Sequence, residues 1–201
     1  AIRIATQGHV ATVTLARPEV RNAFNDEVIA ELSQAFVQLG AAAEVRAIVL
    51  AAEGPAFCAG ADLNWMRRMA DYTREQNLED AAKLAFMLRT LYECPKPTVA
   101  RVQGDVYAGG MGLVACCDMA VSVDSAHYCL SEVKLGLIPA TISPYVIRAM
   151  GARAALGRGD AADRNADDDG EDERADRELD RCRKQRQELG QHRLLGDQRV
   201  A

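Results

Sequence analysis

Two hydrophobic periods alternate along about the first 150 residues, and this restricts the chain to folds that stack helices on strands. His9–Leu15 is β-branched and apolar and stops before Pro18, which predicts a strand. Asn25 then caps a helix with Asp26 and Glu27 in its first turn. Val28, Ile29, Leu32, Ala35, Phe36 and Leu39 share one face of it, and Gly40 is the expected stop. Val45–Ala51 is a short apolar run, a buried strand, so the order strand–helix–strand predicts a right-handed crossover. Thr73-Arg74-Glu75-Gln76 has the form of a capping box. It opens a helix with Leu78, Ala81, Ala82, Ala85, Leu88 and Leu91 on its apolar face, ended by Pro95 and Pro97. Thr98–Val102, Met119–Val123 and His127–Leu130 read as further strands, and Gly109–Cys117 as a buried helix entered through glycines. Ser143-Pro144 begins a helix running to Met150, proline being favoured at the first helical position. The expectation is an α/β fold with parallel strands.

That pattern ends abruptly. Hydrophobic residues make up 49% of the 201 and charged residues 26%, but the charge is concentrated after Leu156, as in Asn165-Ala166-Asp167-Asp168-Asp169-Gly170-Glu171-Asp172-Glu173-Arg174. Such a segment offers too little apolar area to offset its ordering entropy. Residues 156–201 are therefore expected to form a disordered or exposed tail beside a folded region of residues 1–155. A shift of reading frame near residues 152–160 and a genuine charged extension would both produce this break.

Several function classes drop out. A net charge of −5 argues against a nucleic-acid partner. No run of about 18 apolar residues predicts a membrane span. Ala1–Ala5 has no signal-peptide pattern, so the expected location is the cytoplasm. Cys58, Cys94, Cys116, Cys117, Cys129 and Cys182 include no Cys-x-x-Cys pair, and His9, His127 and His192 complete no zinc pattern. No metal site is expected, and the cysteines read as small buried hydrophobes in a reducing compartment.

The chemistry-bearing segments are Phe57-Cys58-Ala59-Gly60-Ala61-Asp62, Gln103–Gly112 and Leu130-Ser131-Glu132-Val133. The first two are glycine-bearing turns before helix starts, so each can present a backbone N–H to a ligand. Two such donors aimed at one oxygen stabilise charge that develops there. Glu132, followed by apolar residues, can carry a proton if burial raises its pKa, or can be a surface residue paired with Lys134. Asp62 reads as a helix cap and as an alternative acid. Ser131 and Cys58 have no histidine placed by motif to activate them.

In register, Arg17–Phe24, Phe57–Leu63, Lys96–Ala100, Gly104–Asp118 and Leu130–Pro139 resemble the crotonase (enoyl-CoA hydratase/isomerase) family over about residues 1–155. Cys129–Gly151 is most similar to its bacterial methylglutaconyl-CoA hydratase branch, which works in leucine breakdown. The resemblance implies a spiral of ββα turns, an acyl-CoA thioester substrate with coenzyme A as part of it, no built-in cofactor, and a homotrimer or hexamer. It places the oxyanion-binding amides on Ala61 and Gly109 and a catalytic glutamate on Glu132, with Arg21, Ala23, Phe24, Ala59 and Ala61 along the coenzyme A. Glu132 matches the family's second catalytic glutamate; its first falls on Gly112, which leaves one carboxylate. The resemblance thus implies a hydratase acting on a 2-enoyl-CoA, with a double-bond isomerase or an inactive thioester binder as alternatives. Arg67 or Arg68, on a helix beside the first turn, would meet the coenzyme A phosphates or a distal substrate carboxylate, or else lie solvated on the helix surface.

Overall fold

From residue 47 onward, each strand laid into a large sheet is followed by a short strand in a second sheet. The computed structural model describes residues 1–132 and 136–155. One unit covers Ala1–Ala149, and a second begins at Met150. Of the second, the described helix is Ala152–Ala155, whose Ala155 N–H bonds to the Gly151 carbonyl. The expected charged tail, 156–201, lies outside the described residues.

In the first unit the order is β1 (Ile2–Gln7), β2 (Val10–Leu15), α1 (Asp26–Ala41), β3 (Ala47–Ala52), β4 (Ala56–Cys58), α2 (Leu63–Met69), α3 (Arg74–Tyr92), β5 (Thr98–Val102), β6 (Asp105–Tyr107), α4 (Gly109–Cys116), β7 (Met119–Ser122), β8 (Tyr128–Cys129) and α5, which starts at Ser143. The larger sheet has the order β1-β2-β3-β5-β7 and the smaller β4-β6-β8. The pairs β3/β4, β5/β6 and β7/β8 thus each supply one strand to each sheet, which is the expected ββα spiral. The pairings are parallel except β1 with β2. Parallel strands covered by helices are continuous apolar runs, and Ile48, Leu50 and Ala51 of β3 are all buried.

The helix starts obey their caps. The Asn25 side chain accepts from the Val28 N–H, Asp62 accepts from Asn64 and Trp65, and both halves of the Thr73–Gln76 capping box form. Three expectations need correction. Gly40 does not stop α1, which continues to Ala41 because Gly40 is buried with Pro95 against it, where the absence of a side chain is what packing requires. The apolar face of α3 is not the one expected: Leu78, Ala81, Ala82 and Ala85 are exposed, and only Leu88 and Leu91 of that set are buried, with Met87. Asp80, Ala81 and Leu84 of α3 border a cavity, while α3 also packs against α1 and α4. The parallel pattern also has an antiparallel first pairing, because β1 and β2 are joined by a two-residue turn with Gly8 at a positive φ of 58°.

Candidate active site

The turn into α4 is bent by a non-glycine residue. Ala108 has φ 48° and ψ −123°, a conformation that an L-residue adopts only when its surroundings enforce it. Here the Ala108 N–H bonds to the Cys129 carbonyl of β8, and the Ala108 carbonyl accepts from Met111 N–H. Ala108 offers no side-chain cap. Gly109, the first residue of the helix, therefore keeps an N–H with no intrahelical acceptor, at the positive end of the helix dipole.

The other turn is pressed against this one. Gly60 has φ 87°, and a Cβ built on it would lie 2.7 Å from the Ala108 Cβ and 3.4 Å from the Gly109 nitrogen. Phe24 bridges the two. Its N–H donates to the Gly60 carbonyl and its own carbonyl accepts from Asp62 N–H, both at 2.9 Å. In this parallel bridge the accepting Gly60 carbonyl and the donating Asp62 N–H flank Ala61, so the Ala61 N–H faces away from the Phe24 strand. Gly109 leaves room for the Phe24 ring, since a Cβ there would fall 2.3 Å from its Cζ.

A polar lattice locks these turns to the 17–24 loop. Arg17 donates through Nη1 to the Ala23 carbonyl at 2.7 Å and pairs through Nη2 with Asp62 Oδ2 at 3.1 Å. Asn22, buried, accepts from Arg17 N–H and donates to the Glu53 and Ala56 carbonyls. Burial by itself would push the Asp62 carboxyl up, but the Asn64 N–H, Arg17 and the Trp65 N–H outweigh it and hold the carboxyl below its ordinary value. Asp62 is therefore a structural anion, which corrects its candidacy as the alternative acid. Its folded value lies below the ordinary 3.8, so the carboxylate stabilises the fold above that pH and the contribution is lost as pH falls through the depressed value. Asp62→Asn is expected to cost about 1–3 kcal/mol at neutral pH and to flatten the acid limb below about pH 4, measured by urea unfolding across pH.

Glu132 lines a cavity of about 890 Å³ that the two turns also line. It is half-buried, and its Oε2 has no hydrogen-bond partner among the described residues. Desolvation raises its pKa and the bond from its own N–H only partly opposes this. The surface pairing with Lys134 falls outside the described residues, because 133–135 are not described. The cavity brings Ala61, Gly109 and Glu132 together with Arg21, Ala23, Phe24 and Ala59. Arg67 also borders it, whereas Arg68 is paired with Asp26 at 2.7 Å and does not. Ser131 borders it with no histidine alongside, and burial pushes the Cys58 thiol up to about 12. Among the described residues, no group of three His, Cys, Asp or Glu side chains can hold a metal ion. No described helix is long and apolar enough to cross a membrane.

Two wall residues carried no sequence signal. Asp80 of α3 accepts from the Trp65 indole N–H at 3.3 Å and lies 3.6 Å from Lys83 Nζ. Ile142, just before α5, is buried at the cavity wall. A donor pair and a half-buried carboxylate around one mostly apolar cavity can stabilise an oxyanion and shuttle a proton beside it.

Comparison with known proteins gives a consistent assignment. Residues 5–159 match the family described as Enoyl-CoA hydratase/isomerase. Enoyl-CoA hydratase AKT6-1 of Alternaria alternata is 37% identical over 156 residues, 76% of this chain and 49% of that protein. The mitochondrial Delta(3,5)-Delta(2,4)-dienoyl-CoA isomerase of Mus musculus is 34% identical over 144 residues, 66% of this chain and 43% of that protein. The crystal structure of an enoyl-CoA hydratase from Shewanella pealeana superposes with a TM-score of 0.75 at 47% identity, over 77% of this chain and 58% of that one. The chain thus spans about half the length of the curated relatives it matches here.

Proposed function

The chain belongs to the enoyl-CoA hydratase/isomerase family, and on that premise we propose that it adds water to the double bond of a 2-enoyl-CoA thioester. The observation that carries this reading is the half-buried carboxylate of Glu132, whose Oε2 has no hydrogen-bond partner among the described residues, in the same cavity as the Ala61 and Gly109 amides. In the proposed step the thioester oxygen lies between the two N–H groups. Glu132 takes a proton from water, the water oxygen bonds to the β-carbon, and the π electrons move through the α-carbon to the thioester oxygen. The enolate collapses as Glu132 returns the proton to the α-carbon. Loss of one such backbone donor typically costs about 10²–10³ in rate.

Arg21, Ala23, Phe24 and Ala59 are read as the coenzyme A edge of the cavity and its apolar remainder as the acyl site. A carboxylated acyl group, as in methylglutaconyl-CoA, would meet Arg67, whose described polar contact is with Asn64 Oδ1 rather than with an acid. The homotrimer or hexamer implied by the resemblance belongs to this reading, as does the reducing cytoplasm that suits the free cysteines of the described residues. Double-bond isomerisation is the second reading, favoured by Gly112, which leaves Glu132 without a partner acid and needs only one proton carrier.

A panel of short, branched and carboxylated 2-enoyl- and 3-enoyl-CoAs tests the assignment. Loss of enoyl absorbance with formation of a 3-hydroxyacyl product is expected. Conversion of 3-enoyl to 2-enoyl thioester without hydroxyacyl product would move the assignment to isomerase. Thioester binding without turnover of any member would leave a binder only.

A further inference from the structure

Gly112 sits in the second turn of α4, buried, and does not border the cavity. A Cβ built on it would lie 2.4 Å from Ile142 Cγ2, 3.0 Å from Ile142 Cβ and 3.4 Å from Leu88 Cδ2. Ile142 does border the cavity and is 3% exposed. A side chain at residue 112 could therefore enter the cavity only through the volume Ile142 now fills. Nor can Ile142 easily yield. Its carbonyl accepts from the Tyr145 and Val146 N–H groups, the first hydrogen bonds of α5. The contact reaches its Cβ, which no rotamer change moves, and β-branching leaves χ1 little freedom.

We propose that Ile142 is a specificity-determining residue: it occupies the wall position that a residue-112 side chain would use, keeps that wall apolar, and so confines proton transfer to Glu132. The proposal rests on the enolate chemistry assigned above and deepens it, because it explains why one carboxylate serves the site. With one proton carrier, water on the Ile142 side has no base to orient it. Ile142 thereby biases the cavity toward reactions that Glu132 can complete alone, and a second carboxylate is admitted only if residues 112 and 142 change together.

The test has two readouts on the full chain. In thermal unfolding, Gly112→Ala is expected to lower the midpoint by about 3 °C or more in the wild-type background, and by much less when Ile142→Ala is also present. An equal loss in both backgrounds overturns the packing relation. The second readout is the ratio of hydration to 3-enoyl isomerisation, which a general loss of stability would not move. Gly112→Glu with Ile142→Ala is expected to raise this ratio about tenfold or more over Ile142→Ala alone. An unchanged ratio in a folded double variant overturns the catalytic consequence. A wild-type chain inactive on both thioester classes would refute the assigned chemistry and this consequence with it, while the unfolding cycle still decides the packing relation.

Discussion

Glu132→Gln is expected to lower turnover of the enoyl-CoA substrate by about 10²–10⁴-fold with little change in KM. The replacement keeps the shape and polarity of the side chain, but the amide neither takes a proton from water nor returns one to carbon. The same substitution should stabilise the folded chain near neutral pH. Burial raises the Glu132 pKa above its ordinary 4.5, so the folded state holds this proton more tightly than the unfolded state does. The resulting stability is present in full below about pH 4.5 and is lost as pH rises through the raised value. Above that window the fold carries an ionised carboxylate with a buried oxygen that has no partner among the described residues. The unfolding midpoint of Glu132→Gln should therefore exceed that of the wild type near pH 7 and converge with it below about pH 4. Thermal scans across pH, beside enoyl absorbance assays, measure both effects. Full activity in the variant would remove Glu132 from the chemistry, and a lower midpoint at neutral pH would show that its carboxylate is not the strained group described here.

Local signals were readable in the sequence where one residue decides a structure by itself. Asn25, Asp62 and the Thr73–Gln76 pair cap as their chemistry requires, and Ser143 opens α5. The three-residue strands β4 and β6 were read only as turns, because so short an element shows no period and is defined by its neighbours in the second sheet. The two donor turns and Glu132 could be named because glycine and a lone acid stand out. Asp80 and Ile142 could not, because a helix-surface acid and an isolated isoleucine acquire their place at the cavity only from distant chain segments. The burial of α3 failed for the same reason: helical spacing shows which residues share a face, and the cavity beside Asp80, Ala81 and Leu84 determines which face is covered.

Gly109→Ala tests whether the two donor turns act as one device. Its added methyl would lie 2.3 Å from Phe24 Cζ and 3.0 Å from Cε1, and Phe24 is fully buried, so the ring must move or the helix start must. Either shift reaches the other donor, because Phe24 is hydrogen-bonded to Gly60 and Asp62 on both sides of Ala61. A displacement of a few tenths of an ångström misaims hydrogen bonds whose value depends on preorganisation. The expected result is a loss of about 10²–10³ in kcat/KM together with about 1–3 kcal/mol of stability from overpacking. Adding Phe24→Leu removes the obstructing ring atoms and separates the two losses. If activity returns as the strain is relieved, the aim of the amides was what the methyl disturbed. If Gly109→Ala alone unfolds more easily yet turns over at the wild-type rate, the Gly109 amide does not hold the thioester oxygen, and the charge must be stabilised elsewhere in the cavity.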